Sequence, residues 1–135
     1  MVNPIFAVRE MQSFFELTGK NIRVSCDPSC EIITPLDVTA GRINAERTQH
    51  GSVGHGIHAT TKRAAIVSFS MVDIMYRTNT ELLAKIKEIE DYYEAKMSDQ
   101  EIADFLIACR KFINNTLICE DYTLQKEDII FENAS

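Results

Sequence analysis

The segment that most constrains how this chain can fold runs from Gly41 to Arg77. It starts as an arm rich in glycine, histidine and basic side chains, and it leads directly into a run of alternating apolar residues. These apolar residues are Ala65, Val67, Phe69 and Met71. Alternation with a period of two is typical of a strand that buries one face. The sequence therefore predicts a strand over 65–71 and a loop over 48–61 before it.

Patterns on either side of this segment predict the remaining elements. Asn3 and Pro4 suit the start of a helix that ends near Gly19. Residues 80–114 carry apolar side chains at helical spacing, with a capping box at Ser98–Glu101. Shorter apolar runs predict strands at 22–26, at 31–34 continuing past a bend at Pro35 through 36–40, at 116–119 and at 128–131. The resulting order, α-β-β-β-α-α-β-β, predicts an α+β fold with a mainly antiparallel sheet.

The length and the charge of the chain limit the classes of protein to which it can belong. The chain has 135 residues and a net charge of −6, which suits a single domain over 1–135. Residues 1–77 carry +1 and residues 78–135 carry −7. An acidic C-terminal half argues against general nucleic-acid binding, because that binding depends on neutralising phosphates. The acidic helices either keep the protein soluble or attract the basic half of another copy.

The start of the chain does not have the pattern of a targeting segment. Residues 1–15 contain the acidic Glu10 and lack a basic start and a long apolar run, so no signal peptide is predicted. No stretch approaches about 18 consecutive apolar residues, which predicts no membrane span. We therefore expect synthesis in a cytoplasm, where disulfides are disfavoured.

Cysteine and histidine side chains are the candidate metal ligands. Zinc takes thiolate and imidazole ligands, usually four of them, and Cys26, Cys30, His55 and His58 are the candidates. The histidine spacing does not match the familiar zinc modules, so separate thiols and loop histidines are the alternative and no cofactor is expected. If the mature assembly leaves the cell, Cys26, Cys30 and Cys119 are candidates for disulfide cross-links.

Motifs for catalysis are not recognisable in the chain. The glycine run Gly51–Gly56 lacks the residue order of a phosphate-binding loop and leads into a predicted strand rather than a helix. The carboxylates between Glu88 and Glu94 fall on the polar face of a predicted helix. The cysteines and histidines have no signature context for a nucleophile. The chain is therefore predicted not to be an enzyme.

One set of residues in the central segment carries a resemblance to a known family. The set is Glu46-Arg47-Thr48, Gly51, Gly54-His55-Gly56, Lys62-Arg63-Ala64 and Ser68-Phe69-Ser70-Met71-Val72-Asp73. It resembles the centre of tail tube proteins from contractile-tailed, notably Mu-like, bacteriophages. The tube proteins of type VI secretion have a similar order, in which a strand and an Asp precede a helix that starts with paired leucines, here Leu82-Leu83. The resemblance covers roughly residues 36–90.

The resemblance implies a β-sandwich or barrel with a flanking helix and no catalytic residues. Copies would stack as hexameric rings into the inner tail tube of a virion, made in the host cytoplasm. The tube would conduct DNA as passing cargo and would contact a surrounding tail sheath and baseplate proteins. Another tail or neck subunit, such as a terminator, is the alternative within this class. A small zinc-binding regulatory or interaction domain is the alternative outside it.

The arm over 46–63 would correspond to the loop that contacts the neighbouring ring. Its predicted interface residues are Arg47, His50, His55, His58, Lys62 and Arg63. The positive bias of this arm would dock it on acidic groups of an adjacent copy. On this expectation, replacing both Lys62 and Arg63 with Glu blocks assembly and leaves the fold intact.

Overall fold

The structure, a computed structural model, describes residues 1–21, 23–48, 56–118 and 128–130, with the backbone alone at 23–24, 44–48, 116–118 and 128–130. Helices predominate in these ranges. They are α1 Pro4–Thr18, α2 Pro35–Thr48, α3 Ile57–Ala64, α4 Met71–Tyr76, α5 Asn79–Tyr93 and α6 Asp99–Asn114. The strands are β1 Arg23–Cys26, β2 Thr116–Ile118 and β3 Asp128–Ile130.

The predicted mainly antiparallel β-sandwich or barrel is wrong. The described part of the chain is mainly helical, and its strands form one small parallel sheet in the order β2-β1-β3. Val24 of β1 lies opposite Thr116 on one side and opposite Ile129 on the other. Because β1 pairs with strands from the far end of the chain, the pairing does not come from the local turns on which an antiparallel meander depends.

The helices at the two ends of the described chain agree with the sequence patterns. Asn3 caps α1 by accepting a hydrogen bond from the Phe6 amide at 3.1 Å, and Gly19 ends the helix with a φ of 69°. The predicted helical segment at 80–114 is present as α5 and α6. Ser98 and Glu101 form the predicted capping box at the start of α6.

Residues 36–40, predicted as a strand, belong to α2. The Thr34 amide donates to Asp37 Oδ2 at 2.8 Å, and the Asp37 amide donates to Thr34 Oγ1 at 3.3 Å. Pro35 occupies the first helical position, where its missing N–H costs nothing. This reciprocal capping starts a helix where apolar alternation indicates a strand.

Residues 65–71, predicted as the strongest strand, are a bend and a short extended stretch before α4. Their only sheet-like contact in the described part of the chain is an isolated bridge between Glu31 and Ser70. The Ser70 amide donates to Asp73 Oδ2 at 2.9 Å, so a second capping box starts α4 at Met71. The predicted loop over 48–61 is helical at both ends, and its residues 49–55 lie outside the described ranges.

Buried side chains from α4, α5 and α6 form the core together with the extended segments. The rings of Phe69 and Phe105 lie 5.9 Å apart between their centroids. Val2 and Ile32 form a parallel bridge with each other, and both side chains belong to the same core. Other fully buried members are Met71, Ile74, Leu82, Ile86, Ile89, Cys109 and Phe112.

Candidate functional site

Two charged side chains are buried together between α2 and α3. Asp37 and Arg63 have no exposed surface, and Arg63 Nη2 lies 2.9 Å from Asp37 Oδ2. The same guanidinium donates to the carbonyl oxygens of Ile32 at 2.7 Å and Val67 at 2.8 Å. A buried ion pair needs such additional hydrogen bonds, because its charges have lost their hydration.

The other side of Asp37 is occupied by two hydroxyl groups. The Thr34 hydroxyl donates to Asp37 Oδ2 at 2.9 Å, and the Tyr93 hydroxyl of α5 donates to Asp37 Oδ1. Burial raises the pKa of Tyr93 far above its ordinary value, and the hydrogen bond to Asp37 and its negative charge raise it further. Tyr93 therefore serves as a fixed donor. We call Thr34, Asp37, Arg63 and Tyr93 the ionic core.

Glu31 extends the ionic core toward the surface. Its Oε2 lies 3.5 Å from Arg63 Nη1 and accepts a hydrogen bond from the Phe69 amide at 3.0 Å. Its Oε1 accepts from the Ser68 hydroxyl at 2.5 Å. These contacts fix the extended stretch before α4 against the N-terminal part of the chain.

A second carboxylate, Asp73 at the start of α4, is held by neighbouring cations. Burial by itself raises the pKa of Asp73, but hydrogen bonds from the Ser70 amide and from Arg77 lower it, as do the charges of Lys85 and Arg77. The net result is a pKa below the ordinary value. Arg77 Nε lies 2.7 Å from Asp73 Oδ1, and Lys85 Nζ lies 3.5 Å from the same oxygen. Asp73 thus stays ionised as a helix cap.

These polar groups are satisfied within the subunit. Among the described residues, Ser25 Oγ in β1 is the one buried side-chain oxygen or nitrogen without a hydrogen-bond partner, and it does not belong to the ionic core. Cys109 is buried in α6, and burial raises the pKa of its thiol, which therefore stays protonated. The arrangement can hold three helices together, and it leaves no polar group of the ionic core open to a ligand.

The predicted interface residues that the structure describes differ in their exposure. His58 and Lys62 are exposed on α3, whereas Arg63 is buried in the ionic core. The side chain of Arg47 and the whole of His50 and His55 lie outside the described residues. Because its guanidinium is committed to Asp37 and to two carbonyl oxygens, Arg63 does not belong to a docking surface of the arm.

Of the candidate zinc ligands, the structure describes Cys26, Cys30 and His58. Cys26 and Cys30 are both buried thiols, donating to the carbonyl oxygens of Asp27 at 3.6 Å and Glu31 at 3.8 Å. His58 is exposed on α3, and in the part of the chain that is described no three His, Cys, Asp or Glu side chains converge on a possible metal position. His55 and Cys119 lie outside the described residues, so the cross-link to Cys119 stays a prediction.

A surface that the sequence patterns did not single out lies on α1. The inner side of this helix buries Pro4 and Ala7, while three apolar side chains lie along one flank of the helix. These are Phe6, Phe14 and Leu17, at positions that share one helix face. Leu17 is 86% exposed. We call these three residues the outer face of α1.

Comparisons of the chain with protein-family models, curated proteins and solved structures found no match. None of the helices in the described ranges combines the length and the apolar character that a bilayer crossing requires.

Proposed function

We propose that this chain is a non-catalytic structural subunit that assembles with other copies of itself, and that the outer face of α1 is one of its contacts. The observation that carries the proposal is that α1 has an apolar flank, exposed in the single subunit, in addition to its buried inner side. A helix that is apolar on a flank as well as on its inner side is expected to be covered at both, because exposed apolar area is unfavourable in water. In the single subunit Leu17 keeps 86% of its surface exposed.

The neighbourhood of Leu17 strengthens this interpretation. Phe14, one turn earlier on α1, is 36% exposed, so two large apolar side chains lie together at the C-terminal end of this flank. Single exposed apolar residues are normal on a protein surface, whereas a contiguous patch marks a contact with another molecule. Aromatic side chains are also enriched among the residues that contribute most to protein–protein contacts.

The ionic core supports a structural role rather than a catalytic one. Asp37 and Arg63 are fully buried and paired with each other, with Tyr93 as a fixed donor. Catalytic groups must reach a substrate, and they commonly lie in a cleft. A buried network that joins α2, α3 and α5 instead makes a rigid body, as a subunit of an ordered assembly requires.

A bacteriophage tail is the specific setting that the sequence resemblance favours. Hexameric rings around DNA, with a tail sheath and baseplate proteins as partners, stay predictions from that resemblance. The resemblance ties the tube to a β-sandwich or barrel, whereas the described part of this chain is mainly helical. The proposal is therefore the wider one of a self-assembling subunit, which another tail or neck component fits as well as a tube.

The test replaces two apolar residues of the outer face of α1 and leaves the buried core unchanged. We expect the double variant Phe14→Gln/Leu17→Gln to assemble more weakly than wild type, by roughly tenfold or more in dissociation constant, because two large apolar contacts are lost. Molar mass from light scattering over a concentration series gives the result. The far-ultraviolet circular dichroism spectrum checks that the helices are retained.

Ile66→Gln is the matched control, because Ile66 is 73% exposed but lies outside α1. It should assemble as wild type does. Unchanged assembly of the α1 double variant would exclude the outer face as a contact. Failure of wild type itself to assemble would refute the proposed function.

A further inference from the structure

A second surface lies on a different side of α1, along its seam with α6. The two helices border a groove of about 400 Å³. Ile5 and Val8 of α1 and Ile107 and Ala108 of α6 supply apolar side chains to its lining. Ile107 is 53% exposed, so the groove presents apolar area to solvent. We call this the seam groove.

The charged residues of the seam groove include both signs. Glu101 and Asp104 lie toward the start of α6, Lys111 lies toward its end, and Arg9 lies on α1. In the described part of the chain, neither Arg9 nor Lys111 forms an ion pair with a carboxylate. The carboxylate of Asp104 accepts a hydrogen bond from the neutral Gln100 amide at 2.9 Å. The groove thus offers unpaired cations and a carboxylate without a cationic partner.

The order of these residues along α6 has a particular symmetry. Asp104 and Lys111 are separated by two helical turns, so they lie on nearly the same face and about 10 Å apart along the axis. Ile107 and Ala108 lie midway between them. Turning the helix end for end about this midpoint exchanges the position of Asp104 with that of Lys111 and keeps the apolar residues at the centre.

We propose that a second copy of this chain occupies the seam groove, with the two α6 helices antiparallel across a two-fold axis near Ile107 and Ala108. Asp104 of each copy then faces Lys111 of the other, and the central apolar residues of the two copies pack together. This inference rests on the proposed function, because it names one contact through which the copies associate. A two-fold contact requires a self-complementary surface, and the order acidic, apolar, basic along one helix supplies it.

The seam groove and the outer face of α1 can be used at the same time. Ile5 and Val8 lie on the side of α1 toward α6, whereas Phe6 and Leu17 lie on another side of the same helix. A two-fold contact alone closes a dimer. A dimer that still exposes the two outer faces is able to assemble further, so the two surfaces together give assemblies larger than two copies.

Charge reversal tests the two-fold contact. Asp104→Lys alone places four cations at the contact, and Lys111→Glu alone places four carboxylates there. Each single variant should therefore weaken association roughly tenfold or more. An equimolar mixture of the two variants should regain wild-type association, because every Lys then faces a carboxylate. The double variant Asp104→Lys/Lys111→Glu should also regain it. Sedimentation velocity measures all four samples.

Asp91→Lys on α5 is the control for the change in net charge, because Asp91 is exposed and lies away from the seam groove. It should associate as wild type does, and circular dichroism should show retained helices in every variant. If wild type assembles and the single variants keep its mass, the two-fold contact is refuted and the proposed function stands. Weakened single variants that neither mixing nor the double exchange restores would also refute the antiparallel pairing. A monomeric wild type would refute both.

Discussion

Arg63 connects three separate parts of the chain through one guanidinium group. It pairs with Asp37 in α2, donates to the Ile32 carbonyl near the N-terminal segment and donates to the Val67 carbonyl after α3. Its neighbour Lys62 is exposed on the same helix. Two adjacent basic residues therefore have opposite roles, one inside the fold and one at its surface.

Loss of the buried cation should destabilise the protein strongly. Arg63→Met leaves Asp37 buried without its opposite charge, and removing one partner of a buried pair typically costs about 3–5 kcal/mol. We expect the free energy of unfolding, measured by urea denaturation, to fall by about that amount. Asp37→Asn added to Arg63→Met should restore part of the loss, because it removes the uncompensated charge.

Lys62→Met is the control for this change, and it should alter the free energy of unfolding by no more than about 0.5 kcal/mol. Equal effects at the two positions would show that Arg63 does not stabilise the fold as an ion-pair partner.

The burial of Arg63 also changes which variant can test docking by the arm. Arg63→Glu would place a carboxylate beside Asp37 and Glu31, so Lys62→Glu alone is the informative variant for electrostatic docking of the arm.

Capping residues, at the scale of single elements, decide where the helices start in this chain. The spacing Ser-x-x-Glu at Ser98 predicts the start of a helix, and α6 starts there. The same spacing with Thr or Ser and an acidic residue occurs at Thr34–Asp37, Ser70–Asp73 and Thr78–Glu81, and a helix follows each of them. Alternating apolar residues at 36–40 and 65–71 predict strands at these places, and both predictions are wrong. Local capping was the stronger physical signal.

The close contact between the start of α3 and α2 depends on a glycine. Gly56 precedes α3 with a φ of 81°, and a Cβ at this position would lie 2.9 Å from the backbone of Asp37. Gly19 after α1 has a similar φ of 69°, but a Cβ there would have no atom within 4 Å. The two positions share the left-handed conformation and differ in the space available.

Alanine substitutions at these glycines should therefore have unequal effects. Gly19→Ala should lower the free energy of unfolding by about 1 kcal/mol, from backbone strain alone. Gly56→Ala should cost at least about 1–3 kcal/mol more, because the clash is with backbone that carries the ionic core. Urea denaturation of both variants measures the difference. Equal losses would contradict the close contact between the start of α3 and α2.

At the scale of the whole molecule, the sequence predicted the parts that depend on local signals. The N-terminal helix and the helical segment over 80–114 follow from caps and helical spacing, and the short strands near 24, 117 and 129 follow from apolar runs. Their parallel pairing does not follow from the sequence, because Val24 of β1 lies opposite Thr116 and Ile129, which are 92 and 105 positions away. Contacts at such separation leave no local pattern.

The candidate surfaces were also only partly visible in the sequence. Phe6 and Phe14 stand beside the buried stripe of α1 in the helical pattern, but their exposure depends on which elements pack against that helix. The ionic core was missed for a related reason. Asp37 and Arg63 are 26 positions apart and meet only when α3 packs against α2. Residue types and their spacing along the chain do not predict this contact between Asp37 and Arg63.

The molar mass of the wild-type protein as a function of concentration tests the central claim most directly. A single chain has a mass of 15.3 kDa. If copies associate through α1 and the seam groove, the weight-average mass from light scattering should rise above this value over about a hundredfold range of concentration, since association follows mass action. A mass that stays at 15.3 kDa throughout that range would contradict self-assembly.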